Sequence, residues 1–184
     1  MKRLLPVCLA LALGSCSASN TAIDVRNTGA RGDGRSDDAA AIQKAIDRAS
    51  AQGGGTVLLT GGHTYLSGPI ELKSNVELHI DAGTTLLANP DSSIYQLSAF
   101  GANRAEGTMW IHCRDIENLS ITGQGTIDGN CLAFMGREAE DSFELKPIVD
   151  RFDPRPHVMT LVGVKGLIIK DLTIQGAAYW TVHL

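Results

Sequence analysis

The side chains best suited to chemistry on the outside of a sheet lie in the segment Tyr179–Leu184. Successive side chains of a strand point to opposite faces. The alternation predicts three inward residues, Trp180, Val182 and Leu184, and three outward residues, Tyr179, Thr181 and His183. An aromatic ring and an imidazole on one exposed face can contact the apolar face and the hydroxyls of a sugar. We therefore take Tyr179 and His183 as candidate substrate-binding residues.

Carboxylate pairs are the second group that could do chemistry. Those close in sequence are Asp37 with Asp38, Glu138 with Glu140 and Asp141, and Asp150 with Asp153. Neighbouring residues of a strand point to opposite faces, and loop charges are usually solvated. No pair lies in a context that predicts burial and a raised pKa. The residues alone therefore identify no catalytic group.

The segment Gly32–Asp38 has the glycine and aspartate content of a phosphate or calcium loop. It lacks the Gly-x-Gly-x-x-Gly order of dinucleotide sites. It also lacks the acidic twelfth residue of an EF-hand, because Lys44 holds that position when counting starts at Asp33. We interpret the segment as a turn that leads into a helix, with Ser36–Asp38 available to accept hydrogen bonds from the first amides.

The histidines and cysteines give no metal pattern. The five histidines are scattered, and neither Cys113 nor Cys131 has a second cysteine or histidine at metal-ligand spacing. We predict no metal site and no cofactor. A disulfide between Cys113 and Cys131 is permitted in an exported protein, but their spacing does not decide whether it forms.

The first sixteen residues, 1–16, indicate export. A basic start, Met1–Arg3, precedes the apolar run Leu4–Leu13, which is shorter than the ~20 residues that span a bilayer. This is the pattern of a signal peptide. Its end, Leu13-Gly14-Ser15-Cys16, resembles the lipobox of bacterial lipoproteins, so we predict lipidation at Cys16, with ordinary cleavage near Ala18 as the alternative. We expect a cell-envelope protein, at the outer membrane or in the periplasm, that touches the membrane through its lipid anchor only.

Residues 17–22 are a predicted linker, and residues 23–184 are predicted to be the N-terminal part of one domain. A glycine- and aspartate-rich loop, 27–38, precedes a predicted helix from Asp38 to Gln52, which the three following glycines end. Its apolar face consists of Ile42, Ala45, Ile46 and Ala49. Short alternating strands separated by turns follow it. The longest stretch without alternation, Leu132–Pro156, is a predicted insertion.

Three stretches that begin at Asn75, Asn118 and Gly166 resemble one another, and their starts are 43 and 48 residues apart. Self-similarity at such periods is typical of solenoids, and each interval would hold two coils or one coil with an insertion. A single helix ahead of all the strands suits the cap of a first coil. We therefore predict an all-β fold, a right-handed parallel β-helix with an N-terminal capping α-helix, in preference to an antiparallel sandwich.

The charge balance limits the partners. The chain has 16 basic and 20 acidic residues and a net charge of −4, with no basic cluster. Nucleic-acid binding depends on a basic surface that neutralises phosphates. We therefore predict no nucleic-acid partner.

The sequence resembles the entry segment of the pectate-lyase-like β-helix superfamily over Val25–Asp38, Ala41–Ile46 and Gly53–Val57. It is most similar to the polygalacturonase family, glycoside hydrolase family 28, over Tyr65–Ile70, Leu72–Val76, Ala82–Leu86, Ile121–Gly129, Arg155-Pro156 and Trp180–Leu184. The likeness runs from about Ile23 to Leu184. Its entry segment is shared with lyases, epimerases and phage tailspikes, so it indicates fold more strongly than reaction.

This resemblance implies a metal-free, inverting hydrolysis of a pectic polysaccharide, polygalacturonan or rhamnogalacturonan. In that reaction one carboxylic acid protonates the glycosidic oxygen while a carboxylate activates water. The family's aspartates lie in Asn-Thr-Asp and Asp-Asp segments beyond the Trp-Thr-Val-His segment, and Asp37-Asp38 is not that pair because it precedes the helix. We therefore expect a truncated, N-terminal part of such a hydrolase, inactive alone. A calcium-assisted polysaccharide lyase and a non-enzymatic surface-binding β-helix are the alternatives.

Overall fold

The computed structural model describes residues 22–99, 107–138, 145–147 and 155–184. The predicted signal segment, Cys16 and most of the predicted linker lie outside the described residues. Within the described part of the chain, no helix is both long and apolar enough to cross a bilayer.

The described residues form sixteen strands and four helices. The strands are β1 Ala22–Asp24, β2 Asp33–Asp37, β3 Gly55–Leu59, β4 Thr64–Ser67, β5 Ile70–Glu71, β6 Val76–Ile80, β7 Thr85–Ala88, β8 Thr108–Arg114, β9 Glu117–Gly123, β10 Thr126–Asp128, β11 Met135–Glu138, β12 Leu145–Pro147, β13 Pro156–Val162, β14 Lys165–Lys170, β15 Thr173–Gln175 and β16 Val182–His183. The α-helices are α1 Ala39–Ala51 and α2 Cys131–Phe134, and the 3-10 helices are Val25–Thr28 and Ser92–Ile94.

Three parallel sheets build the domain. Sheet 1 has the order β1-β3-β6-β9-β14, sheet 2 has the order β15-β10-β7-β4-β2, and sheet 3 has the order β16-β13-β8-β5. From β3 onward the chain visits sheets 1, 2 and 3 in turn, and each circuit is one coil. The predicted right-handed parallel β-helix is confirmed, and the antiparallel sandwich is wrong. The strands β11 and β12 pair with each other in an antiparallel hairpin.

The core is a set of stacked apolar columns that run through successive coils. In sheet 1, one column consists of Ile23, Val57, Leu78, Ile121 and Ile169, each paired in register with the next. Residues 57, 78 and 121 are fully buried. Burying one such side chain contributes about 1.5–3 kcal/mol. The period-two pattern of the sequence therefore translates directly into the interior of the solenoid.

The helix α1 covers the first coil, as predicted. All four residues of its apolar face are fully buried. The hydrogen bonds at its start follow the prediction in part. The Asp38 side chain accepts the amides of Arg31 and Gly32, at 2.7 and 2.9 Å, and caps no helical amide. The Asp37 side chain instead accepts the Ala39 amide at 2.9 Å. The predicted loop 27–38 also contains a strand, β2, which pairs with β4.

The three similar stretches of the sequence begin at equivalent turns. Asn75, Asn118 and Gly166 all have a positive φ, of 62°, 55° and 72°. These three residues stand at the starts of strands β6, β9 and β14, which are direct neighbours in sheet 1. Each interval between the repeats is therefore one coil with an insertion, and the alternative of two coils is wrong.

Both insertions occur at the same corner, between sheet 2 and sheet 3. The chain from β7 to β8 and the chain from β10 to β13 are long, whereas only Gly68 and Pro69 separate β4 from β5. The second long connection contains α2, β11 and β12, so the predicted insertion Leu132–Pro156 includes a short helix and a hairpin. Cys113 is buried on β8, Cys131 is half-buried in α2, and both are free thiols, so the permitted disulfide is not formed.

Candidate functional site

Four rings lie together beside sheet 3, and we call them the ring cluster: His157, Tyr179, Trp180 and His183. The centroid of His157 is 5.2 Å from Tyr179, 5.2 Å from Trp180 and 5.3 Å from His183. The planes of Tyr179 and Trp180 are inclined by only 14°, with their centroids 6.0 Å apart. The cluster joins residues of two successive coils.

The register of sheet 3 shows which face carries the cluster. One column consists of Glu71, His112, Thr160 and His183, and its neighbour consists of Ile70, Ile111, Met159 and Val182. Ile70, Ile111 and Met159 are buried in the core, whereas Glu71 is exposed. The column that ends in His183 therefore lies on the opposite side of the sheet from this core column, as predicted for His183, and within it Thr160 is itself fully buried.

A bend in β13 adds His157 to this outer face. The Nδ1 atom of His157 lies 3.3 Å from the Thr160 hydroxyl, although residues three apart in a flat strand are separated by about 10 Å. The consecutive amides of Val158 and Met159 both donate to the neighbouring coil, at 2.9 and 3.1 Å. Both side chains are buried, so the backbone turns a corner here. The bend thereby places His157 on the same side as Thr160.

The predicted alternation holds at Val182 and His183 and is wrong at Trp180. The Trp180 ring stacks on His157 with an interplanar angle of 19° and is 46% exposed, because its coil follows the bend of β13. Val182 belongs to the inward column but is 37% exposed, since it lies in the last described strand of sheet 3. Leu184, also predicted to face inward, is 73% exposed.

A cation adjoins the rings. The guanidinium carbon of Arg155 lies 4.9 Å from the centroid of Tyr179, and its Nη1 lies 3.9 Å from the Met135 sulfur. A guanidinium over a ring face is an attractive cation–π arrangement. Guanidinium groups also bind carboxylates in a bidentate manner, and aromatic rings offer an apolar platform. The site can therefore hold a sugar ring that carries a carboxylate.

The same face offers little acid–base chemistry. Burial lowers the pKa of His112, which lies in the outward column. Glu71 is the one carboxylate in the described strands of sheet 3. Hydrolysis of a glycosidic bond normally uses two carboxyl groups. The described strands of this face therefore supply binding groups and not a carboxylate pair.

The structure brings the two predicted residues, Tyr179 and His183, into contact with His157. It adds three groups that the sequence analysis did not select for this site: Arg155, His157 and Trp180. No feature of strand alternation could identify them, since the bend in β13 reverses the expected side. Among the described residues, no group of three histidine, cysteine, aspartate or glutamate side chains could hold a metal ion.

The three-sheet solenoid, its helical cap and the ring-lined outer face define a pectate-lyase-like parallel β-helix protein. Residues 22–179 match the family model described as rhamnogalacturonase A/epimerase, pectate lyase-like. The chain belongs to this family.

Several relatives carry different activities in their names. A polygalacturonase of Malus domestica is 31% identical over 90% of this chain and 33% of its own length. The mannuronan C5-epimerase AlgE1 of Azotobacter vinelandii is 52% identical, over 83% of this chain and 12% of its own length. The exopolygalacturonase of Thermotoga maritima has a similar structure, with a TM-score of 0.67 and 25% identity over 84% of this chain and 41% of that protein. The chain thus spans a third or less of the length of these two sequence relatives.

Proposed function

We propose that this protein acts on an acidic pectic polysaccharide, polygalacturonan or rhamnogalacturonan, and that the ring cluster binds a uronate unit of it. One observation carries the proposal: Arg155 lies over Tyr179 beside the stacked, half-exposed Trp180. The rings would contact the C–H face of the sugar, and the guanidinium would bind its carboxylate. A neutral sugar would contact the rings but would offer no carboxylate to the guanidinium.

Within this proposal, the reaction is hydrolysis of an O-glycosidic bond. The support is that polygalacturonases occur among both the sequence relatives and the similar structures. Water would add across the bond between two sugars, with one carboxyl group as acid and another as base. Because the described strands of sheet 3 contain only Glu71, we expect this chain by itself to release no reducing ends from polygalacturonate.

The second candidate is a uronate-modifying enzyme of another reaction type, and the 52% identity to a mannuronan C5-epimerase favours it. Both candidates bind polyuronates, so the ring cluster fits each. Their products differ, because hydrolysis creates reducing ends, a lyase creates unsaturated ends that absorb ultraviolet light, and an epimerase creates neither.

The test compares binding of the chain to three polymers in affinity electrophoresis: polygalacturonate, polymannuronate and neutral dextran. We expect retardation by polygalacturonate, weakened by salt because the contact includes a charge pair. Stronger retardation by polymannuronate would favour the second candidate. Equal retardation by dextran would contradict a site that recognises a uronate.

We also propose that the protein is exported and anchored through a lipid on Cys16, in the context Leu13-Gly14-Ser15-Cys16. In bacteria that express the full chain, labelled palmitate should be incorporated into the wild type and into the Cys8→Ser variant. The Cys16→Ser variant should lose the label and leave the membrane fraction. Retention of label in Cys16→Ser would contradict the anchor.

A further inference from the structure

A second polar site lies on the outer face of sheet 1, away from the ring cluster. An open pocket of about 620 Å³ is lined by side chains from three successive coils. His79, Thr122 and Lys170 stack in register across β6, β9 and β14. Glu77 and Asp81 flank His79 along the chain and also line the pocket. Sequence alternation predicts outward positions for Glu77, His79 and Asp81 but gives no reason to group them with Thr122 and Lys170.

Glu77, Thr122 and His79 of this pocket form a hydrogen-bonded chain with Thr56 beside it. The Thr122 hydroxyl donates to Glu77 Oε1 at 2.6 Å, and the Thr56 hydroxyl donates to Glu77 Oε2 at 2.8 Å. The Thr122 hydroxyl has a single proton, so at 2.8 Å its oxygen accepts from His79 Nδ1. His79 Nε2 then lies 3.4 Å from the Asp81 carboxylate. The network holds the histidine ring in one orientation and in one donor arrangement at Nδ1.

The carboxylates that flank His79 in this pocket are accessible to a ligand. The hydrogen bond from Thr122, followed by that from Thr56 and the charge of nearby Lys170, lowers the pKa of Glu77. The side chains of Glu77, His79 and Asp81 are 35%, 33% and 43% exposed. Each carboxylate oxygen can accept more than one hydrogen bond. Glu77 and Asp81 can therefore accept hydrogen bonds from a ligand without breaking the network.

The charge of the pocket selects against polyanions. Glu77, Asp81 and Asp171 are acidic, and Lys170, 3.6 Å from Asp171, is the one Lys or Arg side chain in the lining. A uronate would meet like charges here, in contrast to the ring cluster beside Arg155. A neutral sugar presents several hydroxyl donors to the carboxylates and also acceptors to the lysine.

We propose that this sheet-1 pocket binds an uncharged sugar unit, with Glu77 and Asp81 accepting hydrogen bonds from its hydroxyls and Lys170 donating to a ring or hydroxyl oxygen. The choice of a sugar rests on the proposed function, since the geometry alone defines a hydroxyl-rich neutral ligand. The protein would thus hold a mixed polysaccharide at two places: acidic units on sheet 3 and neutral units on sheet 1.

The experiment uses NMR of the full chain with two ring reporters, the imidazole of His79 and the indole of Trp180. We titrate with a short galactose oligomer and, separately, with a short oligogalacturonate. We expect the galactose oligomer to shift the His79 signals and the oligogalacturonate to shift the Trp180 signals. The double variant Glu77→Gln and Asp81→Asn should bind the galactose oligomer about tenfold or more weakly, because hydrogen bonds to charged groups are lost.

The control is Glu117→Gln, which removes one carboxylate from sheet 1 outside the pocket, where Glu117 pairs with Lys165 at 3.1 Å. It should bind the galactose oligomer like the wild type. An unchanged response of Trp180 to oligogalacturonate would show that the double variant is folded. Failure of the galactose oligomer to shift His79 while Trp180 still responds would overturn this inference alone. Failure at Trp180 with a response at His79 would overturn the proposed uronate site and leave the neutral-sugar site standing.

Discussion

The side-chain amide of Asn118 donates a 2.9 Å hydrogen bond to the side-chain oxygen of Asn75 in the preceding coil. Both residues open a strand of sheet 1 from the left-handed region, which asparagine tolerates better than most residues. Gly166 occupies the equivalent turn of the next coil, where an added Cβ would lie 3.1 Å from Asn118 Oδ1. The turn column thus combines a conformational requirement with a hydrogen bond between coils.

Asn118→Ala should lower the free energy of unfolding by about 2 kcal/mol. About 1 kcal/mol comes from forcing alanine into the left-handed region and about 1 kcal/mol from the lost hydrogen bond. Asn118→Gly, the matched variant, should lose only the second contribution. Urea unfolding measures both. Equal losses of unfolding free energy in the two variants would show that alanine adopts this positive φ without a cost.

Gly123→Ala should be far more destabilising than Gly29→Ala. The two glycines have nearly the same φ, of 119° and 115°, so alanine pays a similar conformational cost of about 1–2 kcal/mol at each. An added Cβ at Gly123 would lie 2.0 Å from the Ile80 carbonyl oxygen, whereas the space around Gly29 is open. With the overpacking cost, we expect a loss of about 3–5 kcal/mol at Gly123. Thermal and urea unfolding measure the loss of unfolding free energy in both variants. Equal losses for Gly123→Ala and Gly29→Ala would contradict this prediction.

Trp180→Ala should weaken binding of polygalacturonate about tenfold, because it removes the stacked, accessible ring from the site. Ile168→Ala is the control, since Ile168 is 51% exposed and Trp180 46%, and Ile168 lies on sheet 1. Affinity electrophoresis in polygalacturonate gels measures both. A similar loss in the two variants would indicate a non-specific effect of surface apolarity and not a uronate site.

Cys113 should make the stability of the protein depend on pH in the alkaline range. Burial of its thiol, in a residue that is 3% exposed, raises its pKa to about 11, while an unfolded thiol titrates near ~8.5. Between these values the unfolded chain loses the proton and the folded chain keeps it, so deprotonation favours unfolding. The contribution of this thiol is therefore complete below about pH 8.5 and is lost as the pH rises towards 11. We expect the difference in unfolding free energy between the wild type and Cys113→Ala to decrease as the pH rises from about 8.5 to 11. A difference that does not change with pH would contradict this prediction.

Much of the fold could be predicted because one physical rule governs it. Apolar residues alternate along each strand and stack between coils, as at Val57, Leu78 and Ile121, and this alternation is visible in the sequence. The turns that need a positive φ are visible as asparagine, at Asn75 and Asn118. The helical face of α1 follows a second simple period. The role of Asp38 could not be predicted in this way, because a carboxylate before a helix can accept amides of the helix or of the preceding loop. In the structure it accepts the loop amides of Arg31 and Gly32.

The candidate site could be predicted only in part. Tyr179 and His183 follow from strand alternation, but Trp180 does not, because alternation assumes a flat strand and β13 bends at Val158. The sheet-1 pocket depends on which coils are neighbours. Residues 79, 122 and 170 lie far apart in sequence, and only the register of sheet 1 brings them together.

The corner between sheets 2 and 3 tolerates large differences in chain length. Two residues suffice there in one coil, while whole additional segments leave and re-enter in the next two, and the strands on either side keep their register. This corner is therefore a natural splice point for protein engineering. A foreign peptide or a small domain inserted beyond Tyr95, which is buried in the core, would lengthen a connection whose length the strands on either side do not set.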